Sequence, residues 1–322
     1  MNQQMLFGKA QNKKSNCIGL SIANLLVFLF GLLCFTVFSS YSNTKNGQAK
    51  QNENLVLVCG DSKVLIVASD KGNNPAPQII WSWDAHSANA LPSGISPQKF
   101  NTIDDCKAIN KGSQILVSSS SGAVALVNRE DKKVIFYAAV PNAHSIEKLP
   151  GNKIVAAAST ADKGNRLMLF DLERSDQLLF SDSLYSAHGV VWDKNRNSLF
   201  ALGYDVLREY KMKQNDTLTL INEWKIPGTG GHDLQMAPGG ETLFLTEHTG
   251  AWIFDMANEQ FRKIDNFPDA ENIKSINQNQ NGRFVYTVPE ESWWTFHVSF
   301  SNPEGILAFP DIHVYKARWL NP

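Results

Sequence analysis

The most constraining feature of this sequence is an internal repeat of about 40–45 residues. His144, His188, His232 and Lys274 open successive copies, and they are spaced 44, 44 and 42 residues apart. Each lead residue is followed by a turn rich in Gly, Asn, Lys or Pro between two β-rich runs, which is typical of a β-hairpin. Two further strand-like runs complete most units. Four short strands per unit indicate a propeller blade.

Counting the units predicts six blades. A fainter copy of the lead segment begins at Asp105, and a partial first blade with three strands covers Leu55–Asp84. Its missing strand must come from the other end of the chain or from the preceding linker, because an open blade leaves an unpaired strand edge. No segment after residue 50 has sustained helical periodicity. The sequence therefore predicts an all-β, six-bladed propeller over residues 54–322, although five or seven blades would also fit.

The N-terminal segment predicts export. Three lysines among the first fourteen residues precede an apolar run, Cys17–Phe38, which suits a signal peptide or a single transmembrane anchor over residues 1–42. Cleavage after Ser42 would fit the first interpretation, and residues 43–53 are a polar linker. Both interpretations place the propeller outside the cytoplasm: in the periplasm, anchored to a membrane, or at the cell surface. We expect contact with a membrane only through this segment.

The charge balance excludes one class of partner. The net charge of −1 argues against binding to nucleic acid, since proteins that bind it usually carry a basic excess. We expect a monomer.

Two cysteines lie in the predicted propeller. Cys59 ends the second strand of its blade, and Cys106 opens the inner strand of the next blade. Both should therefore lie on the same face of the propeller. A disulfide could persist outside the cytoplasm. The alternative is a pair of buried thiols.

The repeat converts sequence spacing into spatial position. Lead residues of successive blades should form a ring around one mouth of the central channel, which predicts that Asp105, His144, His188, His232 and Lys274 converge. Imidazoles held close together are typical of a metal or anion site. The alternative is that the histidines tie one blade to the next by hydrogen bonds.

Further side chains should join the same mouth. Second-strand ends contribute Tyr204 and the pair Glu247 and His248, and two connections, Asp84–Asp104 and Glu290–Trp294, should overhang it. A polar floor with an aromatic edge is typical of a ligand pocket. We therefore predict ligand contacts from the ring, Glu247 and His248.

Several motifs together resemble those of an uncharacterised family of exported bacterial β-propellers, a domain of unknown function. The resemblance covers nearly all of residues 54–320 and implies six blades without an established activity. The motifs are Val58-Cys59-Gly60-Asp61, His144-Ser145-Ile146-Glu147, His188-Gly189-Val190-Val191-Trp192-Asp193, Gly231-His232-Asp233-Leu234 and Tyr315-Lys316-Ala317-Arg318-Trp319.

The axial histidines are also distantly similar to those of oligogalacturonate lyases, propellers that hold a divalent metal with three His and a Gln. This similarity implies a divalent metal on His144, His188 and His232. The chain has no clear Gln partner, and Lys274 stands in the same ring.

Three functions follow as hypotheses. The first is a lyase or hydrolase of acidic saccharides, in which Lys274 neutralises a carboxylate and His188, His232 or Tyr204 moves protons. The second is non-catalytic binding of a saccharide or another anionic small molecule. The third is a scaffold whose histidines are structural. Propellers host all three, so the fold does not choose among them.

Overall fold

Alternating apolar residues and tight turns divide the chain into strands of four to eight residues. The computed structural model describes residues 55–69, 76–214 and 216–321. In these ranges the strands form six antiparallel sheets of four strands each, with one short 3₁₀ helix, Pro97–Phe100, and no α-helix. The predicted six-bladed, all-β propeller is confirmed.

In chain order, the strands are β1 (Leu55–Gly60), β2 (Lys63–Ala68), β3 (Gln78–Asp84), β4 (Ile103–Ile109), β5 (Gln114–Ser119), β6 (Ala123–Asn128), β7 (Val134–Ala139), β8 (Ala143–Leu149), β9 (Lys153–Ala158), β10 (Arg166–Asp171), β11 (Leu178–Ser183), β12 (Gly189–Asp193), β13 (Ser198–Leu202), β14 (Val206–Met212), β15 (Leu218–Lys225), β16 (Asp233–Met236), β17 (Thr242–Glu247), β18 (Gly250–Asp255), β19 (Gln260–Lys263), β20 (Ser275–Gln278), β21 (Phe284–Thr287), β22 (His297–Ser301), β23 (Gly305–Ala308) and β24 (Val314–Trp319).

Five blades are consecutive quartets of strands, from β4–β7 to β20–β23, and the first blade combines β24 with β1, β2 and β3. The innermost strands are β4, β8, β12, β16, β20 and β24, and each contacts the next around the axis. Apolar side chains from the facing sheets of neighbouring blades form the core in separate clusters between blades. The inner strands therefore present their polar residues to the axis.

Strand β24 closes the ring. It pairs antiparallel with β1, and the register places Val56 opposite Trp319 and Cys59 opposite Lys316. Val56 and Trp319 also pack with Val285 and Phe300 of the sixth blade, so the seam is filled by apolar side chains. The strand missing from the first blade thus comes from the C-terminal end of the propeller sequence. This was one of the two predicted sources, the other being the linker before β1.

The predicted signal or anchor segment, residues 1–42, and the predicted linker, residues 43–53, lie outside the described residues. Within the described ranges, no helix is long and apolar enough to cross a membrane. Export stays a prediction.

Gly60 lets β1 and β24 approach each other at a bulge between Cys59 and Gly60. A Cβ atom at this position would lie 2.0 Å from the carbonyl oxygen of His313. We expect Gly60→Ala to lower the free energy of unfolding by about 1–3 kcal/mol, because the backbone must shift to relieve the overlap.

Urea denaturation measures this change, and Gly305→Ala is the control. A Cβ at Gly305 meets its nearest neighbour, the end of the Arg283 side chain, at 3.4 Å. Equal stability of the Gly60 and Gly305 variants would contradict the tight approach at the seam.

Candidate functional site

Each innermost strand places one titratable side chain at the same level of the axis. The structure brings together His144, His188, His232 and Lys274, as the spacing predicted. The His144 and His188 rings stack with centroids 4.2 Å apart, and those of His188 and His232 are 5.8 Å apart. Lys274 Nζ lies 2.9 Å from His232 Nε2. Asp104 and Tyr315 complete this axial ring of six residues, one from each blade.

Asp105 does not belong to the axial ring, and its predicted position was wrong by one residue. A register shift in the β4–β5 pairing between Ile103 and Asp105 turns Asp104 toward the cavity. The β8–β9 pairing has the same irregularity at His144, which makes Asp104 its counterpart. Asp105 lies one layer below, fully buried.

A buried network of charges fills the axis below the ring. Arg318 donates to Asp105 Oδ1 at 2.6 Å and to Asp233 Oδ1 at 2.8 Å, which links the first, second and fifth blades. Lys316 donates to Asp233 Oδ1 at 3.2 Å and to the His232 carbonyl oxygen at 3.1 Å. Burial alone would raise the pKa of Asp105 and Asp233, but the two cations hold both pKa values below the usual range. This network gives the cavity above it a closed floor.

Above the ring lies a cavity of about 600 Å³. Its upper wall includes side chains from the loops at the mouth: Asp61, Tyr204, His248, Trp293, Trp294 and His313. The predicted candidates Tyr204 and His248 therefore lie at the cavity, and so do two tryptophans of the predicted overhang Glu290–Trp294. The cavity combines a polar floor with an aromatic edge.

Glu247 does not line the cavity, which corrects its placement as a ligand-binding residue. Its buried carboxylate accepts hydrogen bonds from the Thr249 backbone N–H at 2.8 Å, the Thr249 hydroxyl at 2.6 Å and Trp252 Nε1 at 2.8 Å. These donors occupy both oxygens, so Glu247 stabilises the turn between β17 and β18.

The ring histidines are neutral at physiological pH. Burial lowers the pKa of His188 to about 4, and the charges of Lys316 and Lys274 contribute to this. Burial also holds the pKa of His144 and His232 well below the usual value, again with help from the two lysines. The site thus presents imidazole, with one N–H and one lone pair per ring.

Hydrogen-bond partners assign the tautomers of the His188 and His144 rings. His188 Nδ1 donates to the Ser186 carbonyl oxygen at 2.9 Å, which leaves the Nε2 lone pair as an acceptor. His144 Nε2 donates to Asn142 Oδ1 at 3.1 Å, so its lone pair is on Nδ1. Nδ1 of His144 and Nδ1 of His232 are buried without a hydrogen-bond partner. Buried nitrogens without a partner are uncommon, since nearly all buried polar groups in folded proteins are hydrogen-bonded.

Two other members of the ring titrate near neutrality. Burial raises the pKa of Asp104 to about 7, and its Oδ1 lies 3.7 Å from His144 Nδ1. Burial and the charge of Lys316 lower the pKa of Lys274 to about 8. Burial raises the pKa of Tyr315 well above its usual value, so its hydroxyl stays protonated.

The geometry does not support the divalent metal expected on His144, His188 and His232. Across residues 55–69, 76–214 and 216–321, no group of three His, Cys, Asp or Glu side chains is placed to hold a metal ion. Lys274 Nζ, a cation, lies 2.9 Å from His232 Nε2 and occupies the position that a metal bound at this nitrogen would take.

Cys59 and Cys106 are buried free thiols. Burial raises the pKa of the Cys106 thiol well above its usual value, and a hydrogen bond with Cys59 adds to this effect. A disulfide between them stays a prediction.

The sequence analysis missed Tyr315 because the sixth copy of the lead segment lies in β24. This strand is at the C-terminal end of the propeller sequence, whereas the other three strands of its blade are at the N-terminal end. The signal was present: Val314-Tyr315-Lys316-Ala317 follows Ile273-Lys274-Ser275-Ile276 by 41 residues. It also missed His313 at the mouth, which no repeat position marks.

Comparisons with known proteins give a family and a fold but no activity. A family model described as "Family of unknown function (DUF6528)" matches residues 20–321. No curated protein matches the chain. Among solved structures, the chain is similar to the WD40 β-propeller domain of Doa1, with a TM-score of 0.52 and 11% identity over 72% of this chain and 71% of that chain. At this identity, the similarity shows the fold alone.

The raised pKa of Asp104 predicts a pH-dependent stability. The folded protein keeps the Asp104 proton up to about pH 7, whereas an ordinary Asp, with a pKa of 3.8, loses it much earlier. Because the folded form binds more protons in this window, raising the pH removes this contribution to stability. An Asn at position 104 cannot ionise.

We therefore expect Asp104→Asn to gain about 2–3 kcal/mol of stability relative to the wild type between pH 5 and pH 7. Urea denaturation at several pH values measures the free energy of unfolding of both proteins. The histidines are common to both, so their titration cancels in the difference. A difference that does not change with pH would show that Asp104 ionises normally.

Proposed function

Because this chain belongs to a family of unknown function, its activity has to be inferred from the site itself, and we propose that the axial cavity binds a sugar acid. The observation that carries this proposal is Lys274, a buried lysine on the cavity wall. Its described contacts are the neutral His232 at 2.9 Å and the ring of Trp293, whose centroid is 5.4 Å from Nζ. Neither contact neutralises an ammonium group.

The other buried cations of the inner strands differ from Lys274 in having carboxylate partners. Lys107 pairs with Glu147 at 3.4 Å, and Lys316 and Arg318 pair with Asp233 at 3.2 Å and 2.8 Å. A buried charge without a partner is strongly unfavourable. A ligand carboxylate bound at Lys274 would supply the missing negative charge.

The remaining groups favour a hydroxylated ligand. The lone pair of His188 Nε2 can accept a hydrogen bond from a ligand hydroxyl group, and the Tyr315 hydroxyl can donate one. Among the described residues that line the cavity there is one lysine and no arginine, and this single positive charge matches one carboxylate better than a phosphate group with close to two negative charges.

Processing of the ligand by a lyase or hydrolase is the second candidate. The observation that favours it is the pair of titratable groups near neutrality, Asp104 with a pKa of about 7 and Lys274 with a pKa of about 8. Such groups are suited to transfer protons at physiological pH. His188 and His232 would then orient the ligand as neutral rings. Export through the N-terminal segment is part of this proposal and places the ligand outside the cytoplasm.

Removing the charge of Lys274 should weaken binding of acids specifically. We expect Lys274→Met to lower the affinity for D-galacturonate or D-glucuronate at least about tenfold, which is the usual effect of losing a charge-assisted hydrogen bond. Isothermal titration calorimetry measures the affinity, and neutral galactose and glucose test the need for the carboxylate. The melting temperature should stay unchanged or rise, because an uncompensated buried charge is removed.

Lys133→Met is the matched control, since the Lys133 side chain is 75% exposed on the surface. Equal binding by the Lys274 and Lys133 variants would contradict the proposal. A large fall in melting temperature of the Lys274 variant with unchanged binding would favour the scaffold hypothesis instead.

A further inference from the structure

The mouth of the cavity carries an oriented histidine that sugar-acid binding at Lys274 does not use. His313 Nδ1 lies 2.9 Å from Asp61 Oδ1, and the His313 backbone N–H donates to Asp61 Oδ2 at 3.3 Å. Because Nδ1–H donates to the carboxylate, the lone pair of the ring is on Nε2. The Trp294 and Phe296 rings flank the imidazole, with centroids 5.3 Å and 5.4 Å away. The side chain is thus held in one orientation at the cavity.

The recognition groups lie at two depths. Lys274 is 2% exposed at the level of the axial ring, whereas Trp293 is 61% exposed and lies over it. The side chains of His313 and Asp61 are 48% and 37% exposed at the mouth. The cavity volume of about 600 Å³ is in the range of pockets for drug-sized ligands, which are larger than a single sugar ring.

We propose that Asp61, His313, Trp293 and Trp294 form a second subsite, which binds the next ring of an acidic disaccharide or oligosaccharide. This inference rests on the proposed function, because Lys274 holds the carboxylate of the first ring. His313 Nε2 accepts a hydrogen bond from a hydroxyl group of the second ring. The tryptophans contribute their faces to its apolar side.

A second histidine–carboxylate pair, His297 with Glu290, provides the control. His297 Nδ1 lies 2.7 Å from Glu290 Oε1, and these side chains are 42% and 43% exposed. His297 therefore resembles His313 in its pairing and exposure, but it does not line the cavity. A general effect of losing a paired surface histidine should be equal in both variants.

The experiment compares affinities for ligands of one and two rings. Calorimetry with D-galacturonate and digalacturonate, and with D-glucuronate and its disaccharide, should show tighter binding of two rings by the wild type. His313→Ala should lose about fivefold to tenfold in affinity for the disaccharide, the usual effect of one lost hydrogen bond. Its affinity for the monosaccharide should not change. His297→Ala should match the wild type with both ligands.

A third variant locates the second ring. Tyr185 is 61% exposed in the connection between the third and fourth blades, and its ring contacts that of the cavity residue Tyr204 at a centroid distance of 5.5 Å. If Tyr185→Ala rather than His313→Ala removes the gain from the second ring, the proposed subsite is wrong. The same conclusion follows if monosaccharides bind and disaccharides bind no tighter. Failure of every monosaccharide acid to bind would instead overturn the proposed function.

Discussion

The buried guanidinium of Arg318 joins three blades across the axis. It belongs to β24, and it donates to Asp105 of the second blade and to Asp233 of the fifth. All three side chains are buried, so their charges are compensated only when the inner strands are in register around the axis. The contacts that close the ring therefore also build the floor of the cavity. Removing one partner would leave an isolated charge in the interior.

The same cations determine the chemistry of the layer above. Lys316 lies fully buried beneath the ring, and together with Lys274 it opposes protonation of the histidines. The imidazoles therefore act as neutral hydrogen-bonding groups, and Lys274 remains the cationic member of the ring. The proposed sugar-acid site would distinguish a carboxylate from a neutral sugar by the charge of Lys274. It would distinguish hydroxyl patterns by its hydrogen-bonding groups.

Much of this architecture could be predicted from the spacing of His144, His188 and His232. Their positions gave the blade length, and blade length gave both the fold and their convergence on the axis. Asp104 could not be distinguished from Asp105 in this way, because a bulge shifts the register by one residue without a marked sequence signature. Glu247 was misplaced for a related reason, since the end of a strand does not show which way a side chain turns. The metal expected on the three histidines could not be tested from the sequence either, because the contact of Lys274 with His232 that disfavours it depends on the positions of the two side chains.

The exchange of β24 into the first blade has a consequence for synthesis of the chain. A ribosome makes β1, β2 and β3 first, but their blade lacks its innermost strand until β24 has emerged. Tyr315, Lys316 and Arg318 arrive with that strand, so neither the floor nor the complete ring exists on a nascent chain. The unfinished protein exposes an edge of β1 for as long as translation continues, and a chaperone would meet it in that form. The complete axial ring is therefore a mark of a fully translated propeller.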